Sequence, residues 1–322
     1  MKTTAVLLLL LPAHLCAQQL TIPRDTSFTL AITAAKIAKD YPHARAVYPK
    51  LPKDVMAQAN IVYAMYGNRT LTLDLFSPSK AQTVFPAVVL IHGGGWRSGD
   101  KSQNVPIAQQ LAAHGYVAAT IEYRLSLEAQ YPAAVHDIKA AIRWLRANAT
   151  RYRIDPTKIA VMGFSAGGHL AALVGATNGN SRFEGSGGNA GLSSNVQAIV
   201  DIDGVLDFTH PAESGKDTVA GKPSVGAQWL GATYKEKPEV WIDASPLTHA
   251  GASTPPTTFI NSSHDRFHAG RDEFNAKLTA FGTYAEVHAI PNTPHPFWLF
   301  DPWFEPTCKF TIAFLDKVFK TK

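Results

Sequence analysis

Ser165 lies between two glycines in the segment Gly163-Phe164-Ser165-Ala166-Gly167, directly after the apolar run Ile159-Ala160-Val161-Met162 and ahead of an alanine-rich stretch. A strand that turns sharply into a helix needs small residues on both sides of the turn, because a Cβ there collides with the backbone. The residue at the apex is left exposed above the sheet. This segment therefore predicts a strand, a tight turn and a helix in succession, with a hydroxyl held at the tip.

About seventy residues upstream, the run Ala87-Val88-Val89-Leu90-Ile91 reads as a buried strand and ends in His92-Gly93-Gly94-Gly95-Trp96. Three successive glycines let the main chain pass close to a ligand and turn amide hydrogens toward one point, as a developing oxyanion requires. Strand-like runs at 71–76, 86–91, 117–123, 158–162, 196–202, 257–261 and 284–290 alternate mostly with helical stretches. That alternation is the pattern of an α/β fold with a parallel sheet and crossover helices. With 322 residues, 46% of them hydrophobic, and no internal repeat or low-complexity linker, one large domain is expected.

The glycine loop and the serine turn, in this order and spacing, resemble the α/β-hydrolase superfamily. More closely, they are similar to secreted bacterial esterases of the feruloyl and acetyl-xylan esterase type, related to the hormone-sensitive-lipase group with its His-Gly-Gly-Gly loop. The resemblance covers residues 60 to 322 and includes Leu73-Asp74-Leu75-Phe76 on an early strand. It implies a mostly parallel eight-stranded sheet flanked by helices, and a serine–histidine–aspartate mechanism without cofactor. It also implies that main-chain amides of Gly94, Gly95 and Ala166 hold the oxyanion, with Gly93 too close to the strand end to donate.

A serine hydroxyl needs a base to take its proton and a carboxylate to orient that base. In this superfamily the acid and then the base follow the serine in the chain. Asp265 follows the late strand Pro256 to Asn261 and is the expected acid; His295, in the loop Pro291 to Pro296 after the next helix and strand, is the expected base. Asp201, Asp203 and Asp207, just beyond the strand 196–200, are the alternative acids. His288 competes for the base but lies inside a strand pattern, whereas His264 and His268 sit beside the acid itself. His92 is expected to shape the glycine loop, and His169 to pack within the helix after the turn. There is no metal-ligand spacing and no phosphate-binding glycine loop ending in Lys-Ser or Lys-Thr, so neither metal nor nucleotide is expected.

Residues 1–17 read as a secretory signal peptide: Lys2, the apolar run Val6 to Leu11, and Leu15-Cys16-Ala17 as the cleavage site. The apolar stretch is too short to anchor in a bilayer, and Leu15 before Cys16 argues against lipidation. The mature chain is then expected outside the cytoplasm, secreted or periplasmic, with Cys308 as its one cysteine. Residues 18–59, with prolines at 42, 49 and 52 and a short helix at 31–39, read as a strap on the hydrolase domain. The formal charge of +5 is scattered, without the basic stripe that nucleic-acid binding requires.

Aromatic residues cluster at the expected base: Phe297, Trp298, Phe300, Trp303 and Phe304. Such faces suit a sugar ring or phenolic acyl group, and core packing of the last helix is the competing account. Trp96 and Trp298 are the expected substrate contacts. Residues 204–255 read as a small loop-rich cap, and 178–195 as a Gly/Ser/Asn-rich loop, mobile and able to border the cleft. The leading expectation is a secreted ester hydrolase acting on acetyl, feruloyl or methyl esters of plant cell-wall polysaccharide or on small esters. A peptidase or amidase of the prolyl-oligopeptidase or formamidase kind shares the same triad and is the alternative. A catalytically inactive binding module would not need Ser165, Asp265 and His295 together.

Overall fold

The computed structural model describes residues 25–80 and 84–320. The signal-peptide segment 1–17 lies outside the described residues. Eight strands form one sheet: β1 Val55–Tyr66, β2 Arg69–Pro78, β3 Phe85–Ile91, β4 Val117–Ile121, β5 Ile154–Phe164, β6 Ala198–Ile202, β7 Thr257–Asn261 and β8 Ala285–Ala289. Their spatial order is β8-β7-β6-β5-β3-β4-β2-β1. All neighbours run parallel except β1 against β2 and β2 against β4. This is the α/β-hydrolase architecture.

The central strands carry continuous apolar runs because both of their faces are covered. In β3, Val89 and Ile91 point into one core while Val88 and Leu90 point into the other, as the two-residue period of a strand dictates. Helices α2 (Val105–Ala113) and α10 (Phe304–Phe319) cover the face of Val88. The opposite face packs on α3 (Ala133–Ala147) and α4 (Ala166–Ala176).

Helix α4 is buried along its whole length, and its small residues set how near it lies to the sheet. A Cβ on Gly175 would stand 2.3 Å from Cδ1 of Ile199, and one on Gly168 would stand 2.4 Å from Oδ1 of Asp201. The helix that starts at the serine turn is thus pressed onto β6.

The strand β1 starts at Val55, inside the segment read as a strap. It is a largely exposed edge strand, so it lacks the apolar run or alternation that betrays a buried one. Ahead of it, α1 (Leu30–Ile37) is capped by Thr29, whose side chain accepts from the amide of Ile32. Arg45 and Ala46 pair with Asp301 and Phe300, tying this segment to the C-terminal region. Between β6 and β7 lie four short helices, α5 (Pro211–Ser214), α6 (Val225–Leu230), α7 (Pro238–Ala244) and α8 (Pro246–His249). They occupy the segment read as a cap, and α9 (Arg271–Ala280) follows β7.

The glycine-rich loop 178–195 is pinned to α3. The guanidinium of buried Arg143 donates to the carbonyls of Glu184, Gly187 and Gly188 and to the Glu184 carboxylate. Lys139, also buried, donates to Glu184 and Ser194. No residue of this loop lines the cavity that holds Ser165 and His295.

Candidate active site

Ser165 follows β5 and immediately precedes α4, with φ 55° and ψ −120°. A non-glycine residue in that conformation is strained, and the surrounding backbone must hold it there. The glycines make this possible by close contact. A Cβ on Gly163 would sit 1.8 Å from the carbonyl oxygen of Gly167, and one on Gly167 would sit 2.2 Å from that of Ile91. The Ser165 amide donates to Ile202 at 2.7 Å, so the turn is also fixed to β6.

The Ser165 hydroxyl donates to Nε2 of His295 at 2.8 Å. Across the ring, Nδ1–H of His295 donates to Oδ2 of Asp203 at 2.9 Å. Asp203 is fully buried, and its other oxygen accepts from the amide of Ser262 at 2.7 Å. Both carboxylate oxygens are thereby engaged, which orients the acid without leaving a buried acceptor unpaired.

The acid is therefore Asp203, not Asp265. Asp265 opens a 3-10 turn after β7, its side chain is fully exposed, and its carboxylate lies 3.8 Å from Nδ1 of His268. The place it was expected to fill is taken from the neighbouring strand. Asp203 is the first residue beyond β6, the strand next to the elbow, and its φ of 51° swings the side chain toward the loop of His295. Aspartate tolerates that left-handed conformation better than most residues. The signal in the chain was Asp-Gly at a strand's carboxyl end. Of the other two alternatives, Asp201 is buried against Gly204, whose amide it accepts at 2.9 Å. Burial pushes the Asp201 carboxyl well above the usual range. Asp207 accepts from the amide and hydroxyl of Thr209.

His295 is held on two sides by aromatic rings. Phe267 stacks on it with centroids 3.6 Å apart and planes 8° apart, and Trp298 meets it edge-on at 5.3 Å. Burial lowers the imidazole's pKa, and Asp203 opposes that shift through its hydrogen bond and charge; His264 and Arg266 push it further down. The net shift is downward and favours the neutral ring, the form that acts as a base. Trp298, expected to touch substrate, is buried and packs against Phe164 and Phe297. It supports the histidine from behind and does not line the cavity. Phe297, Phe300 and Trp303 are likewise buried in the core beside α10.

Opposite His295, the glycine loop leaves β3. Gly94 has φ 121°, Gly95 φ 58° and Trp96 φ 57°, and a Cβ on Gly94 would meet the Ser98 carbonyl at 2.1 Å. Among the described residues, the amides of Gly94 and Gly95 donate to no main-chain carbonyl. The Ala166 amide is the first of α4, which has no acceptor one turn back. Gly95 and Ala166 line a cavity of about 180 Å³ with Trp96, Ser165, Asp203, Val205, Val225, Arg266, Phe267 and His295.

The loop is braced from below and from both flanks. His92, buried, stacks on Tyr123 at 4.4 Å. Arg97 pairs with Asp25 of the N-terminal segment and donates to Gln228 of the cap at 2.8 Å. Trp96 lines the cavity and belongs to an aromatic cluster with Phe208 and Trp229, and its indole N–H donates to Nδ1 of His169 at 3.2 Å. The Nε2–H of His169 then donates to the Ala244 carbonyl at 2.8 Å. One buried histidine thus joins the glycine loop, the elbow helix and the cap. Desolvation lowers its pKa to about 4, so it is neutral and holds one tautomer.

A strained serine, a histidine and a buried aspartate in one hydrogen-bonded line, in a cavity shared with Gly95 of the glycine loop and Ala166 of the helix start, define a nucleophilic hydrolase site at the carboxyl edge of an α/β-hydrolase sheet. The BD-FAE family model matches residues 73–269, and the chain belongs to that family. It is 32% identical over 219 residues to the "Probable carboxylic ester hydrolase LipM" of Mycobacterium tuberculosis, across 67% of this chain and 50% of that protein. "Esterase LipC" of the same organism is 33% identical over 181 residues, 56% of this chain and 44% of its own. The chain spans about half the length of these curated relatives.

Among solved structures, a truncated carbohydrate esterase from gut microbiota superposes with a TM-score of 0.70 at 27% identity, covering 84% of this chain and 99% of that one. The butyrate-bound thermophilic esterase Est2 of Thermogutta terrifontis gives 0.68 at 26% identity, covering 82% and 94%.

Proposed function

We propose that the chain is a serine carboxylic ester hydrolase that works through an acyl-enzyme on Ser165. The observation that carries this reading is the unbroken line from the Ser165 hydroxyl through His295 to Asp203, in a cavity that Gly95 and Ala166 also line. His295 takes the serine proton as the hydroxyl attacks the ester carbonyl. Asp203 holds the imidazole and stabilises its charged form, and the amides receive the negative oxygen. His295 then protonates the leaving alcohol, and water repeats the cycle on the acyl-enzyme.

The substrate class within this reading is acetyl, feruloyl or methyl esters of plant cell-wall polysaccharide. The match to the BD-FAE family and the likeness to a carbohydrate esterase support it. Export from the cytoplasm belongs to the same reading and is supported by the residue pattern at 1–17.

The test is hydrolysis of 4-nitrophenyl acetate, methyl ferulate, acetylated xylan, pectin and a proline anilide by the wild type and Ser165→Ala. Ester cleavage that disappears in the variant is expected. Activity on the anilide alone would replace the esterase by a peptidase or amidase, and activity that survives Ser165→Ala would remove the nucleophile. Detection of the protein in the cytoplasm alone after fractionation would overturn export.

A further inference from the structure

Arg266 stands at the rim of the cavity with part of its hydrogen-bonding capacity unused. Its Nε donates to Oε1 of Glu213 at 2.5 Å and its Nη2 to Oε2 at 2.9 Å. Glu213 is buried in the first turn of α5, so a carboxylate of the cap fixes the direction of a side chain that comes from the loop after β7. A guanidinium carries five N–H donors in a rigid plane. The Glu213 fork takes two of them.

The remaining edge, formed by Nη1 and the second hydrogen of Nη2, donates to no acceptor among the described residues. Arg266 lines the cavity together with Ser165 and His295, and its side chain remains 47% exposed. Its guanidinium carbon lies 5.5 Å from the centre of the Phe267 ring, the ring that stacks on His295. The free edge is therefore held within reach of a group attached to the reacting ester.

Two coplanar donors match two coplanar acceptor oxygens, the geometry of a carboxylate; a hydroxyl would use only one of them. Asp203 is the one carboxylate among the residues that line the cavity, and its two oxygens are turned to His295 and Ser262. We propose that Arg266 is a specificity-determining residue that binds a carboxylate carried by the ester substrate. This rests on the esterase reading above and narrows it to esters bearing an acid group near the scissile bond. That group could belong to the acyl part, as in a dicarboxylic half-ester, or to the alcohol part, as in a uronate.

Two matched pairs of esters separate those sources: 4-nitrophenyl hemisuccinate against 4-nitrophenyl butyrate, and an acetylated methyl glucuronoside acid against an acetylated methyl glucoside. kcat/KM is measured for the wild type, Arg266→Gln, Arg266→Lys and the double variant Arg266→Gln/Glu213→Gln, which leaves no buried carboxylate without a partner. In one pair the acidic-over-neutral ratio is expected to fall by about 10- to 100-fold on loss of the guanidinium, the range for a charged hydrogen-bonded contact. Arg266→Lys, which keeps the charge but loses the planar fork, is expected to recover only part of it.

A ratio that moves by less than about twofold in both pairs, in the single and the double variant, overturns the inference. Hydrolysis of the neutral esters by the wild type would then leave the esterase reading intact. A wild type inactive on all of these esters overturns that reading and the inference with it.

Discussion

Asp203 and His295 meet at 2.9 Å although ninety-two residues separate them in the chain, because β6 and the loop after β8 deliver them to the same edge of the sheet. Replacing the acid by its amide keeps the shape but favours the wrong tautomer of the histidine. Asp203→Asn is expected to lower kcat by about 1,000- to 10,000-fold. Asp265→Asn, at a fully exposed carboxylate, is expected to change it by less than about twofold. Steady-state kinetics on one chromogenic ester compare the two, and the reverse ranking would return the acid to Asp265.

The acid limb of the activity profile reports His295. Its pKa is lowered chiefly by burial, so the ring remains neutral, and competent as a base, below the ordinary histidine value of 6.5. kcat/KM is expected to hold to below pH 6.5 before it falls. Phe267→Ala uncovers one face of the imidazole and relieves part of that desolvation, so the limb should move upward. A limb that stays in place in the variant would mean that Phe267 does not set the titration.

His169 makes a separate contribution to stability. Its folded pKa of about 4 lies below the unfolded value of 6.5, so the unfolded chain binds the extra proton first as pH falls. Stability from this group is fully present above pH 6.5, is lost as pH falls toward 4, and levels off below that. The loss amounts to about 3 kcal/mol between pH 7 and pH 4. Urea unfolding across that range should show a weaker pH dependence in His169→Gln, and an equal dependence would place the proton elsewhere.

Gly94 tests the donor loop. Its φ of 121° and the Ser98 carbonyl 2.1 Å from an added Cβ leave no room for alanine without moving the backbone. Gly94→Ala is expected to cost about 100- to 1,000-fold in kcat, the usual scale for loss of an oxyanion donor. Circular dichroism checks that the variant compared is folded. Full activity in a folded Gly94→Ala would exclude this loop as the oxyanion site.

Trp298 meets His295 edge-on from the buried side. Trp298→Leu should loosen the imidazole and lower kcat by about 10-fold with little change in KM, since the indole does not line the cavity. A rise in KM alone would restore Trp298 to a substrate contact.

Much of this arrangement could be read from contiguous residues. The serine turn, the glycine loop and seven of the eight strands each carry a local mark: glycines required by close backbone contact, apolar runs in the central strands buried on both faces, and apolar/polar alternation in Arg69–Pro78 and Ala285–Ala289. The edge strand Val55–Tyr66 carries no such mark because most of its side chains face solvent. The aromatics after His295 were visible as a cluster, but their packing against Phe164 and α10 was not. The same limit applies to Arg143, whose buried guanidinium ties down a loop that by composition alone reads as free.

By itself, then, the sequence determined that Ser165 stands at a strained turn near a glycine loop and that His295 follows in a late loop, because those requirements act within a few residues. Only the tertiary structure decided which carboxylate completes the line. Asp203 and Asp265 both follow strands that end on the same side of the sheet, and the choice between them depends on the position of β6 beside β5 and on the left-handed turn at Asp203. Those are relations between strands distant in the chain, and they arise only when the sheet is assembled.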